Sequence, residues 1–148
     1  MKKATRIAAA LAAAVPSLAL AATDVLVPRH PGCICGEHWA ALVRQQLRRK
    51  IQMVDDNRRS VYQTRLGVPA RLPSCHTALV DGLVFEGHVP IADMRRLLRE
   101  HPRGVVGLAV AAMPMGSPGM EMPGMRGEAY DVVAFGPAGT HIYAHHGG

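Results

Sequence analysis

Apolar and polar residues follow one another along this chain in blocks of changing period, and each period predicts an element. Val25-Leu26-Val27, closed by Pro28, predicts a short strand over Asp24 to Val27. Glu37 to Lys50 carries Trp39, Leu42, Val43 and Leu47 on one face of a helix. Ile51 to Val54 predicts a second strand. Asn57 can cap a helix running to about Leu66, which Gly67 stops. His76 to Val80 and Leu83 to Gly87 read as two strands joined at Asp81-Gly82, a dipeptide suited to a tight hairpin. Pro90 is placed to open a helix from Ile91 to His101, with Ile91, Met94, Leu97 and Leu98 facing inward. Val105 to Ala112 is apolar, either a strand or a buried irregular segment. Tyr130 to Phe135 and Thr140 to Tyr143 predict two last strands around a turn at 136–139.

The order strand, helix, strand, helix, strand, strand, helix predicts an α/β sandwich of the thioredoxin type. A Met/Pro/Gly-rich C-terminal extension follows, since Met113 to Gly127 cannot hold regular structure for long. In that topology a cysteine loop, Cys33 to Gly36, lies between the first strand and its helix. A proline loop, Pro73 to His76, precedes the third strand and lies beside it. The three cysteines of the chain, Cys33, Cys35 and Cys75, are therefore expected to converge.

The N-terminus changes the compartment. Lys2, Lys3 and Arg6 precede an apolar run from Ile7 to Leu20 and the small residues Ala19-Leu20-Ala21-Ala22. That order predicts a secretory signal peptide over residues 1–22, cleaved after Ala21 or Ala22, with 23–148 as a single mature domain. The run is too short to span a bilayer comfortably, so no stable membrane insertion is expected after cleavage. The signal holds three of the 17 basic residues, which leaves the mature chain at +3 against its 11 acids. Arg44, Arg48, Arg49 and Lys50 cluster, but aromatic residues are scarce, so a nucleic-acid surface is not expected. An odd number of cysteines in an exported chain leaves at least one thiol outside any intramolecular disulfide, and a metal or redox role is a reason to keep it.

Cys33-Ile34-Cys35 opens a helix, where free N–H groups and the dipole favour thiolate, the form that binds metal. Two thiolates one residue apart suit a soft cation better than they suit a dithiol switch. His38 shares a helix face with Cys35, and reads equally as an exposed histidine. Cys75-His76 forms a second cluster, and His88 follows across the hairpin, beside a Gly87 that permits close approach. Met113, Met115, Met120, Met122 and Met125 crowd one stretch, as soft thioether ligands or as packing. His141, His145 and His146 make a His-rich tail, of the kind that binds Cu(II) or Zn(II) loosely or that arises with little consequence. Cysteine and methionine select Cu(I), and imidazole suits copper and zinc. A four-coordinate structural zinc would leave the methionines unexplained. Copper, as Cu(I) and also Cu(II), is thus the expected metal. No His-Glu-x-x-His, Gly-x-Ser-x-Gly or phosphate-binding glycine loop points to hydrolysis or phosphoryl transfer.

Leu66-Gly67-Val68-Pro69, Ser74-Cys75-His76-Thr77-Ala78, Glu86-Gly87-His88-Val89-Pro90, Gly107-Leu108-Ala109-Val110 and the run from Met113 to Glu121 resemble the CopG-type copper-resistance family over about residues 24–135. The resemblance implies a thioredoxin-like fold in the periplasm, copper held by cysteines and histidines, and a part in copper resistance alongside other periplasmic copper-handling proteins. It also implies a redox role between Cu(I) and Cu(II). Cys33, Cys35, Cys75, His76 and His88 match family positions, as do Met113, Met115 and Met120. From these the expected metal ligands are Cys33, Cys35, Cys75, His76, His88, Met115 and Met120. One departure stands out. The family pattern is Cys-x-Cys-Cys, two residues, then Trp, and Gly36 stands where its third cysteine falls. That predicts weaker or fewer copper ions than in relatives with every cysteine, with His38 or His30 as compensating imidazoles. Two alternatives remain open: a thiol-disulfide oxidoreductase on the same scaffold, and a degenerate relative that no longer binds metal.

Overall fold

The structure, a computed structural model, describes residues 25–147. The signal peptide reading lies outside the described residues. The fold is mixed α/β. Strand β1 (Val25–Arg29) leads into helix α1 (Ile34–Leu47), strand β2 (Ile51–Asp55) and helix α2 (Arg59–Arg65). The hairpin of β3 (Thr77–Val80) and β4 (Leu83–Glu86) follows, then helix α3 (Ile91–Glu100), and strands β5 (Gly107–Ala109), β6 (Tyr130–Gly136) and β7 (Gly139–His146).

β1 and β2 pair in parallel, with Val25 beside Ile51 and Arg29 beside Asp55. The other five strands form a sheet in the order β3-β4-β5-β6-β7, in which β4 and β5 are parallel and the remaining pairs antiparallel. A single antiparallel bridge between Arg29 and His76 joins the two sheets where β1 ends and β3 is about to begin. The core gathers Val25, Val27 and Ile51 with Trp39, Ala40 and Val43 of α1, Ile91, Met94 and Leu97 of α3, and Phe85, Leu108, Val132 and Ala134 of the larger sheet. Among the described residues no helix is long and apolar enough to cross a membrane.

Of the boundaries that differ from those the pattern predicts, three have a local reason. Helix α1 starts at Ile34 rather than Glu37, because the turn at Gly32 (φ +82°) lets Cys33 N–H bond the His30 carbonyl at 3.0 Å and Ile34 N–H that of Gly32 at 2.9 Å. Cys35 and Gly36 thus lie in its first turn. It ends at Leu47, with Arg48 in the left-handed region (φ 53°). The last strand runs on to His146, since its histidines pair with β6: Asp131 faces His145 and Tyr130 faces His146. The hairpin turn forms as expected, with positive φ at both Asp81 and Gly82.

Leu97 is fully buried on the inner face of α3. Leu97→Ala removes that contact and leaves a cavity, so it is expected to destabilise the protein by about 2–5 kcal/mol, measured as a lower urea midpoint at unchanged m.

Candidate metal centre

Residues far apart in sequence meet at the bridge between β1 and β3. The His30 N–H donates to the Cys75 carbonyl at 2.8 Å, which pins the segment before β3 against the cysteine turn before α1. Arg29 ties the same corner together: it donates to Asp55 of β2 at 2.6 Å, to Glu37 of α1 at 2.8 Å and to the Cys33 carbonyl at 3.3 Å. From the other side Glu86, fully buried at the end of β4, accepts from Ser74 N–H at 2.6 Å, Gln63 Nε2 at 2.5 Å and Thr77 Oγ1 at 2.5 Å, with Arg59 at 3.6 Å. Burial raises its pKa and these donors oppose the rise. Cys75 and His76 are thus held between anchored residues.

The expected convergence of cysteines is present. Cys33 and Cys75 are joined as a disulfide across a Cα–Cα distance of 6.3 Å. Cys35 is free, with its sulfur 3.5 Å from that of Cys33 and 3.6 Å from that of Cys75. Met113 adds a fourth sulfur, 3.5 Å from Cys35. A cleft of about 580 Å³ opens over these sulfurs, walled by Pro31, Ile34, Pro73, Ala112 and Arg59.

Two imidazoles stand beneath them. His76 and His88 are fully buried, with ring centroids 4.9 Å apart and edge to face, and Trp39 packs on His76 at 4.6 Å. His88 Nδ1 lies 2.9 Å from the Pro118 carbonyl. A carbonyl only accepts, so Nδ1 carries the proton and Nε2 keeps a free lone pair. That Nε2 and the Nε2 of His76 are buried with no hydrogen-bond partner among the described residues. A buried polar atom without a partner is unfavourable unless something else engages it, and a metal ion is such a partner. Burial, then repulsion from His88, pushes the His76 pKa down to about 3, and burial lowers that of His88. Both rings are neutral at neutral pH, the form that binds metal.

Two groups of ligand atoms follow. The donor atoms of Cys33, Cys75 and His76 lie within 4.8 Å of one another, as do those of Cys35, Cys75 and His88. Cys75 belongs to both. The donor set of thiolate, imidazole and nearby thioether fits a soft cation once the disulfide is reduced.

Five of the seven residues expected as ligands, Cys33, Cys35, Cys75, His76 and His88, are brought together. For Met115 and Met120 no sulfur contact to the cysteines is present among the described residues. Their backbones build the loop instead: the Met115 carbonyl accepts from Glu128 N–H, and that of Met120 from Gly116 N–H. Gly119 seats this loop on α1, where an added Cβ would come within 2.7 Å of the Trp39 nitrogen. His38 is exposed on α1, and His30, also exposed, lines the cleft. The His-rich tail is engaged in β7: His145 pairs with Asp131 at 2.6 Å, and His146 pairs with Asp93 at 2.6 Å while stacking on Tyr130. Motif reading gave Glu86 no role of its own and passed over Arg59 and Met53. The Glu86 signal was a lone acid inside an apolar strand, whereas Met53 gave none beyond an ordinary strand position.

Comparison with known proteins agrees in family. The model of a family described as a protein of unknown function, DUF411, matches residues 72–120. Among proteins of curated function, none matches the chain. Two solved structures of a copper resistance protein, CopG, are similar over most of the chain. Form 1 is 37% identical, covers 86% of this chain and 100% of its own, and superposes with a TM-score of 0.77. Form 2 is 38% identical, covers 85% and 99%, and gives 0.75.

The buried imidazoles make a pH prediction for the metal-free protein. Between pH 6.5 and about 3 the unfolded chain protonates His76 and the folded chain does not. Stability is therefore expected to fall as pH drops through that window. Glu86, raised by burial, works in the opposite sense, its contribution being full below its unfolded value and lost as pH rises from there through the raised folded value. The isolating measurement is the slope of the urea midpoint against pH in the wild type and in His76→Gln. The variant should show the shallower fall on acidification, and equal slopes would contradict a neutral buried His76.

Proposed function

This chain belongs to the family of CopG copper resistance proteins, and we propose on that premise that it is an exported copper-binding protein of the periplasm. It holds Cu(I) through Cys33, Cys35, Cys75, His76 and His88. The observation that carries this reading is a pair of buried, neutral imidazoles beside three converging sulfurs, His76 with its Nδ1 3.4 Å from Cys75 Sγ and His88 with an unpartnered Nε2 in one ligand group with Cys35 and Cys75. An oxidoreductase site needs the sulfurs and has no use for two buried neutral imidazoles beside them. Soft thiolates next to neutral nitrogen donors select monovalent copper over magnesium, calcium or manganese. Arg59 gives the cleft a positive wall, and Ile34, 71% exposed, and Met113 give it an apolar rim, which suits docking of a protein that delivers or accepts the ion.

The same sulfurs can change the valence of the ion. Cys33 and Cys75 thiolates that close to a disulfide release two electrons, enough to reduce two Cu(II) to two Cu(I), and a reductant must then reopen the pair. That step accommodates the disulfide in the structure. The disulfide also favours a second reading, thiol-disulfide exchange with a protein substrate.

The test loads the reduced chain from residue 23 onward with Cu(I) anaerobically and challenges it with a Cu(I) chelator, alongside Cys35→Ser, Cys75→Ser and His88→Ala. The wild type should retain copper and each variant should lose most of it. A reduced wild type that yields all its copper, yet reduces a protein disulfide in a turbidity assay, would replace the copper reading with the oxidoreductase one.

A further inference from the structure

Gly36 sits in the first turn of α1, and its surroundings are unusual for a helical glycine. A Cβ placed there would lie 2.9 Å from the terminal methyl of Met53, 3.2 Å from Cys33 Sγ and 3.3 Å from His76 Nδ1. Three groups from three separate elements thus surround the one point that has no side chain. Two of them, Cys33 and His76, belong to the same ligand group with Cys75. The third is a thioether from the middle of β2.

Met53 is half-buried, beside fully buried Val27 in the strand register, and packs on the core from below α1. Packing alone calls for any residue of that size. The position of the methyl adds a specific fact: the flexible end of the side chain packs against the bare backbone at Gly36, at the buried point around which the His76 Nδ1 and the Cys33 sulfur also lie. The other ligand group has a comparable neighbour. Met113 stands 3.5 Å from Cys35, which joins Cys75 and His88 in that group. Each group of two sulfurs and one imidazole therefore has one methionine beside it, Met113 on the cleft side and Met53 on the core side.

Building on the copper reading above, we infer that Met53 is a further soft ligand, its thioether completing the Cys33, Cys75 and His76 group in the space that Gly36 leaves open. The side chain absent at Gly36 and the thioether present at Met53 act as one device. Neutral sulfur satisfies a monovalent ion without adding charge to a buried site, whereas another thiolate there would add one. Met53 has three soft torsions, so its sulfur can swing toward the ion when the Cys33–Cys75 pair is reduced. Gly36 keeps the path clear.

The experiment uses the reduced chain from residue 23 onward with its methionine methyls labelled with carbon-13. The resonances are followed while Cu(I), or redox-inert Ag(I), is added anaerobically. The Met53 signal is identified by its loss in Met53→Leu, a swap that conserves volume and removes only the sulfur. The expected result is a Met53 methyl shift that saturates with metal, together with a drop of about tenfold or more in Cu(I) retention by Met53→Leu against the chelator. Metal bound by the wild type with an unmoved Met53 methyl and an unimpaired Met53→Leu would reduce Met53 to filler and overturn the inference alone. No metal bound by the wild type would overturn it together with the copper reading.

Discussion

Everything at this site hangs on one short backbone contact, the bridge between the end of β1 and the entry to β3. Through it the His30 N–H reaches the Cys75 carbonyl, and a residue 40 positions beyond Cys35 comes to lie in sulfur contact with it. Thiols attract one another only weakly, so they do not assemble such a group unaided. The backbone assembles it, and Arg29 and Glu86 keep it from slipping. Arg29 binds β2, α1 and the cysteine turn from outside, while Glu86 binds Ser74, Thr77 and Gln63 from within. A charged group that spends its hydrogen bonds on backbone and neighbouring side chains behaves as a positioning element, and both lie one contact away from the sulfurs.

The imidazoles show what that rigidity is for. A buried histidine is tolerated when its nitrogens are used, and here each ring keeps one nitrogen unused. The proton on His88 is directed to Pro118, which belongs to the methionine-rich loop. That loop therefore acts on the site through a carbonyl: it selects the tautomer that leaves Nε2 bare. Gly119, seated against the backbone of α1, brings the loop close enough to do so. The proline and glycine content of residues 113–127 thereby has a structural purpose separate from the thioethers it carries.

Much of this was legible in the sequence, and the residues explain which parts were not. Apolar periodicity located nearly every element because Trp39, Val43, Leu97 and their partners really do face one core. The start of α1 was not legible, since it depends on a turn at Gly32 that periodicity does not register. The five Cys and His ligand candidates were legible because their chemistry is rare and their spacing distinctive. The choice among methionines was not. Met115 and Met120 share the composition signal of Met113, and only the path of the chain decides whose sulfur reaches Cys35. Met53 was invisible for the opposite reason: a methionine in a strand reads as core. The histidine tail shows a third limit, because pairing with β6 makes residues that look loose in the sequence into strand positions beside Asp131 and Asp93.

The disulfide and the metal site are two states of the same atoms, and this shapes how the protein can work. Cys75 belongs to both ligand groups, so oxidation to the Cys33–Cys75 pair withdraws two donors from one group and one from the other at once. Cys35 and the two imidazoles remain, a set with one thiolate instead of three and a correspondingly weaker hold on a soft ion. Loss of thiolate character and release of the ion are thus coupled through a single shared residue. On the reading proposed above, any oxidant that closes the pair also lowers affinity for the ion, and a tightly bound ion protects the thiols by engaging them. The coupling is reciprocal by thermodynamic necessity. It needs no moving domain, because the Cα atoms of Cys33 and Cys75 are already held at bridging distance by the contact between β1 and β3.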